Sequence, residues 1–164
     1  LDNTLVNSSA VQLYRDLRDW PRVYANIDKV VPFDELDGIA PHTVPRRLKK
    51  LGFKIGIVTS SRRKYAERIL RKFRIPYDAL VAAKEAGKYK PQPEPLLHAL
   101  QALGKSPEEA YSVGDDANDA KAAYRAGVIP IGVAWGVKNW KSFCGTAPHL
   151  TFHRPRFLLK PDNF

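Results

Sequence analysis

Apolar and polar positions along the chain change period several times, and the changes fall at proline, glycine and serine. Residues 53–59 (FKIGIVT) are dense in apolar and β-branched side chains, the pattern of a buried parallel strand. Ser60 and Ser61 follow as helix-cap types. Ala66, Ile69, Leu70 and Phe73 then recur at i, i+3, i+4 and i+7, which predicts an amphipathic helix. Further strands are predicted at 79–83, 111–113 and 128–134. Helices are predicted from Pro93 or Glu94 to a stop at Gly104, and at 117–126, closed by Gly127. Residues 41–51 read as a helix with Pro45 in its first turn and Gly52 at its end. Ser8 and Ser9 precede Val11, Leu13, Tyr14 and Leu17 at mixed helical spacing. Pro21 and Pro32 break residues 20–38 into a short helix plus loops, and residues 1–6 are an apolar piece too short to classify.

Strands alternating with helices predict one three-layer, Rossmann-like α/β domain over 1–164, its central parallel sheet covered by helices on both faces. Ligands of such sheets sit beyond the carboxyl ends of the strands. No repeat, linker or low-complexity tract interrupts the pattern.

Composition excludes several classes. Of 164 residues, 44% are apolar and 27% charged, unlike a disordered, collagenous or disulfide-stapled chain. No apolar run approaches the roughly 20 residues of a membrane helix, and no signal peptide is visible. Cys144 is the single cysteine, which points to a reducing, cytoplasmic compartment. The chain opens on Leu1 and holds no methionine, so translation is expected to have begun upstream.

Charge sharpens the picture. The net charge of +10 is concentrated in residues 46–74, which carry twelve Lys/Arg against Glu67. Such a field attracts phosphorylated metabolites, nucleic acid or an acidic partner. A solvated helical face is the plainer expectation for Lys64, Arg68, Arg71 and Lys72.

The residues expected at the strand ends form an unusual set. They are Asp2, Asn3 and Thr4; Thr59, Ser60 and Ser61 with Arg62 and Arg63; Lys90 before Pro91; and Asp115, Asp116 and Asp119 in GDDAND. Each type has a task if the ligand is a phosphate on Mg²⁺. The hard cation takes carboxylate oxygens, a hydroxyl and free N–H groups at a helix start hold phosphoryl oxygens, and a lysine offsets the gathered negative charge. Taken singly, the same groups are good helix caps, and Asp115, Asp116 and Asp119 suit a helix dipole.

Four motifs in order resemble the haloacid dehalogenase superfamily of aspartate-based phosphohydrolases. Residues 1–5 (LDNTL) are similar to its opening Asp-x-Asp-x-Thr motif without the first aspartate; Thr59, Lys90 and residues 114–119 correspond to the later ones. The resemblance covers about residues 1–135, and residues 111–136 look most like the phosphoglycolate phosphatase-like branch. It implies an Mg²⁺-dependent phosphomonoester hydrolase working through an aspartyl-phosphate, with the nucleophilic aspartate directly before Leu1. Asp2 would be the general acid/base and offer its carbonyl to the metal. Thr59 would bind a phosphoryl oxygen, and Lys90 would hold nucleophile and phosphate together. Asp115 would ligate Mg²⁺, Asp119 would orient Lys90 or a metal-bound water, and Asp116 is open between metal neighbour and helix cap. Thr4 supports this group from the opening motif.

Only 55 residues separate Thr4 from Thr59, so at most a small helical cap insertion near 19–38 is expected. An open site of this kind could accept large substrates or be covered by another subunit, so proteins and nucleic-acid ends stand beside the small phosphorylated substrate that is expected first, and the chain is expected as a monomer or homodimer. Arg62 and Arg63, just after Thr59, are expected to favour multiply anionic substrates. Two alternatives stand beside this reading: a nucleic-acid end phosphatase using the basic stretch, and a non-catalytic binding module. His42, His98, His149 and His153 have no metal-ligand spacing, Cys144 has no base nearby in sequence, and Trp135 and Trp140 read as packing residues. The tail from 147 to 164, with Phe152, Phe157, Leu158 and Leu159, is apolar enough to pack on the domain or on a partner.

Overall fold

A computed structural model describes residues 1–136 and 148–160; Trp140, Cys144 and the two ends of the tail, 147 and 161–164, lie outside them. In chain order the regular elements are β1 (Val6–Asn7), α1 (Ser9–Asp16), α2 (Trp20–Ala25), β2 (Val31–Pro32), α3 (Val44–Lys50), β3 (Gly56–Val58) and α4 (Arg63–Lys72). There follow β4 (Ala79–Val81), α5 (Glu94–Leu103), β5 (Tyr111–Gly114), α6 (Ala117–Ala126), β6 (Ile129–Val133) and β7 (Leu150–Phe152).

The α/β alternation produces parallel pairing. β3 lies parallel to β4 with Ile57 opposite Leu80, and β5, β6 and β7 form a parallel set with Val113 opposite Ile131 and Gly132 opposite Thr151. β1 and β2 form a separate antiparallel ribbon. Residues 1–5, expected to lead off the layout, are wound into a turn. The Asn3 N–H donates to the Val6 carbonyl at 2.8 Å and the Leu5 N–H to that of Leu1 at 2.9 Å.

Helix ends follow local chemistry. α5 and α6 stop where Gly104 and Gly127 take φ of +62° and +73°, a left-handed conformation that costs glycine little. α4 buries Tyr65, Ala66, Ile69 and Leu70 against Val6, Val11, Trp20 and Ile57. Burial of Ile69 and Leu70 is worth about 1.5–3 kcal/mol each. Ser60 and Ser61 do not cap α4; its N-cap is Arg62, whose side chain makes no capping bond.

Residues 19–38 carry α2, a short 3₁₀ turn (Ile27–Lys29) and β2. Trp20, Val23 and Val30 are buried in the main core, so this segment is continuous with the domain. The tail packs on the domain. β7 extends the parallel set beside β6, and the 3₁₀ helix Pro155–Leu159 buries Leu158 against Val44, Ile131 and Val133. No helix among the described residues is long and apolar enough to cross a membrane.

Candidate active site

Four segments converge at the strand ends. The turn at the start of the chain, in which Asn3 takes φ +58°, directs Thr4 inward, where its hydroxyl donates to Asp115 Oδ1 at 2.5 Å. The end of β6 clamps the same turn: Trp135 Nε1 donates to the Thr4 carbonyl at 2.8 Å. Gly136 approaches the Asn3 carbonyl so closely that a Cβ would overlap it. Trp135 is thus more than packing.

Asp116 is the N-cap of α6. It accepts the Asn118 N–H at 2.8 Å, while Asp119 Oδ2 accepts the Asp116 N–H at 3.3 Å. The other Asp119 oxygen takes the Lys90 ammonium. Gly114 makes this possible, because a Cβ there would collide with the Asp119 carboxylate. Lys90 Nζ also lies 3.4 Å from the Val58 carbonyl, at the end of β3. Thr59, 7% exposed, accepts the Ser61 N–H at 3.1 Å. A shallow depression lined by Val58, Thr59, Ser60, Ala82, Lys88 and Lys90 opens beside it. The backbone nitrogen of Leu1 is buried in the same cluster, within electrostatic reach of Lys90, Asp2, Asp119 and Asp115.

Asp2 has a ring of partners that sequence reasoning did not assign. Arg15 Nη2 lies 3.2 Å from Oδ2, the Tyr65 hydroxyl donates to Oδ1 at 2.7 Å, and the Ser61 hydroxyl donates to Oδ2 at 2.9 Å. Buried Ser8 accepts from Arg15 Nη1 at 3.0 Å. Nothing local in the sequence marks Tyr65 or Arg15 as a partner of Asp2. Burial pushes the Asp2 carboxyl up, but Arg15, Tyr65 and Ser61 outweigh it and hold the group below the usual carboxylate range. Burial pushes Asp115 the other way, above that range. The Thr4 hydrogen bond offsets this in part, and the Asp119 charge adds to it.

A depressed folded-state value means that Asp2 contributes stability above the ordinary carboxylate pKa of about 4, and that this is lost as pH falls through the folded value. With side chains only 16% and 7% exposed, the Arg15–Asp2 pair is largely buried. Arg15→Met is therefore expected to cost about 3 kcal/mol at neutral pH, through the uncompensated carboxylate it leaves. The deficit should shrink below pH ~4 as Asp2 protonates. Urea unfolding at the two pH values checks this; an unchanged difference would remove the ion pair from the explanation.

The two arginines after Thr59 part company. Arg63 turns to Glu85, at 2.5 Å and 2.7 Å, and to the Leu80 carbonyl, and does not join the cluster. Arg62 lies over the Trp20 ring, 4.9 Å from its centroid. Trp20 in turn packs edge-on against Tyr65.

Among the described residues, no three acidic, histidine or cysteine side chains gather closely enough to enclose a metal. Magnesium asks less, since one or two carboxylates plus waters and substrate phosphate suffice. Asp115 fits that role: it is a half-buried carboxylate raised in pKa beside a second acid, an arrangement a cation relieves. Asp116 is engaged as a cap, and Asp2 points its carboxylate at Arg15.

Comparison with known proteins identifies the family and the fold. Residues 42–133 match the haloacid dehalogenase-like hydrolase family. The pyrophosphatase PpaX of Bacillus cereus is 38% identical over 116 residues, covering 70% of this chain and 50% of that protein. The chain spans about half the length of the curated relatives it matches. Among solved structures, a Lactobacillus plantarum protein provisionally assigned as a phosphoglycolate phosphatase superimposes with a TM-score of 0.72 at 22% identity. It covers 96% of this chain and 72% of its own. A phosphatase of Thermococcus onnurineus gives 0.68 at 21% identity, covering 90% and 66%. At these identities the structural likeness speaks for the fold.

Proposed function

The chain belongs to the haloacid dehalogenase-like hydrolases, and on that premise we propose that it hydrolyses phosphomonoesters with Mg²⁺ through an aspartyl-phosphate. The observation that carries the reading is the convergence of Thr59, the Lys90–Asp119 pair and the Thr4–Asp115 pair around the buried Leu1 nitrogen. A residue bonded to that nitrogen would enter among them, where an aspartate would serve as nucleophile.

In this scheme the nucleophile's oxygen attacks phosphorus, the ester P–O bond breaks, and Asp2 protonates the departing oxygen. Asp2 then takes a proton from the water that attacks the phosphoenzyme, which releases phosphate and frees the nucleophile. Thr59 and the N–H groups at the start of α4 hold phosphoryl oxygens, and Lys90 balances their charge. Arg15 and Tyr65 orient Asp2 and favour its ionised form, the base of the second step, so the first step draws on the minor protonated form of the same carboxyl. Asp115 and the Asp2 carbonyl would hold Mg²⁺, which when bound supplies Lewis-acid stabilisation of the phosphoryl oxygens. A small phosphorylated substrate suits the open rim. Phe33, Asp34 and Leu36, in the 19–38 segment, line a groove with Trp135 and His153 and would serve as a minimal cover.

Phosphate release from p-nitrophenyl phosphate by the full-length protein, with Mg²⁺ and with EDTA, tests the reading. Turnover with Mg²⁺ that EDTA stops is the expected result. No turnover, in a chain shown by mass to lack an aspartate before Leu1, would leave a binding module instead.

A further inference from the structure

The basic stretch sorts into engaged and unengaged cations. Arg63 is held by Glu85 and Glu67, Lys49 by Asp78, Arg46 by the Arg74 carbonyl, and Lys72 by the carbonyls of Ile27, Asp28 and Val30. Arg62, Lys64 and Arg68 are exposed and have no carboxylate partner among the described residues. They are not simply solvated. Arg62 sits 4.9 Å from the Trp20 centroid, and Lys64 and Arg68 sit 5.6 Å and 5.1 Å from that of Tyr24. An aromatic face holds each cation by its quadrupole without satisfying its N–H donors by a hydrogen-bond acceptor.

This row starts at the site. Trp20 packs on Tyr65, whose hydroxyl binds Asp2, and Arg62 directly follows Ser61, which binds Asp2 from the other side. From Arg62 to Arg68 the row descends α4 for roughly 9 Å, longer than one or two phosphates occupy.

We propose that Arg62, Lys64 and Arg68, braced on Trp20 and Tyr24, form a track for the phosphate backbone of a single-stranded nucleic acid whose terminal phosphate enters the Asp2–Thr59–Lys90–Asp115 cluster. For that terminal phosphate the proposal rests on the hydrolytic reading above. Repeated phosphates match a row of cations without carboxylate partners, and a flexible single strand can turn its terminal phosphate from the helix face into the cluster. The cations cover the aromatic faces, so bases are not stacked there and binding is independent of sequence.

The test is fluorescence anisotropy of labelled single-stranded DNA dodecamers, with and without a terminal phosphate, on the full-length protein across a salt series. Three backbone contacts predict that log K falls with log salt at a slope of about −2. Lys64→Gln/Arg68→Gln should weaken binding about tenfold and flatten the slope to about −0.7, whereas Lys64→Arg/Arg68→Lys should keep both. The same Gln variant should lower kcat/KM for the phosphorylated dodecamer about tenfold relative to p-nitrophenyl phosphate. Wild-type binding that ignores salt, or that the Gln variant leaves unchanged, overturns the track. Binding that behaves as expected without phosphate release from either substrate upholds the track and removes the hydrolytic reading. Release from p-nitrophenyl phosphate without dodecamer binding does the reverse.

Discussion

Replacing Asp115 with asparagine is expected to lower Mg²⁺-dependent phosphate release by at least about 10²–10³-fold while leaving the metal-free protein as stable as wild type or more so. Asp115 is half-buried beside Asp119, and its raised pKa means that the ionised form opposes folding at neutral pH. Asparagine removes that charge and still offers Oδ1 to the Thr4 hydroxyl, so the metal-free variant should gain about 1 kcal/mol. The wild type should recover its deficit on binding the cation, by about 2.7 kcal/mol at a hundredfold excess over Kd. The variant should show no such gain. Thermal melts with and without Mg²⁺, beside turnover, read both effects. A variant that melts higher with Mg²⁺ and still turns over would move the metal away from Asp115.

Lys90→Met is expected to be as damaging to rate and, unlike the first change, to stability as well. The ammonium pairs with Asp119 and faces the carbonyl that ends β3. In the proposed mechanism its removal takes away the cation offered to the phosphoryl group, for an expected loss of about 10²–10³ in kcat. It also leaves Asp119 and Asp115 facing each other uncompensated, at a cost of about 3 kcal/mol. Adding Asp119→Asn should restore much of the stability and none of the rate, because the two residues share one interaction. A double variant no more stable than Lys90→Met alone would show that the pair is not what holds Asp119 in place.

Much of this site could be read along the chain, and the parts that could not have a common cause. α5 and α6 end where glycine takes a left-handed conformation, a signal carried by one residue, so their bounds at 94–103 and 117–126 match the structure. The 53–59 run is cut to Gly56–Val58 because pairing with β4 supports only that length. β7 is not legible because Leu150–Phe152 is too short to show a period and becomes a strand only beside β6. At the site, Thr59, Lys90, Asp115 and Asp119 stood out by motif order. Arg15, Tyr65 and Trp135 did not, since each acts through a partner more than ten residues away. Arg62 and Arg63 are adjacent and chemically alike, yet one meets Trp20 and the other Glu85. Only the packing of α2 and the position of Glu85 separate them.

The clamp between the two ends of the domain has a consequence in time. The Thr4–Asp115 hydrogen bond spans 111 residues and the Trp135–Thr4 bond spans 131. Contacts of such separation carry a large loop-closure entropy and form late. A chain emerging from the ribosome can wind β3, α4 and β4 while Thr4 still lacks both Asp115 and Trp135. On the proposed reading, the cluster at the strand ends is therefore incomplete in every partly made copy and is assembled only when β5 and β6 have been added.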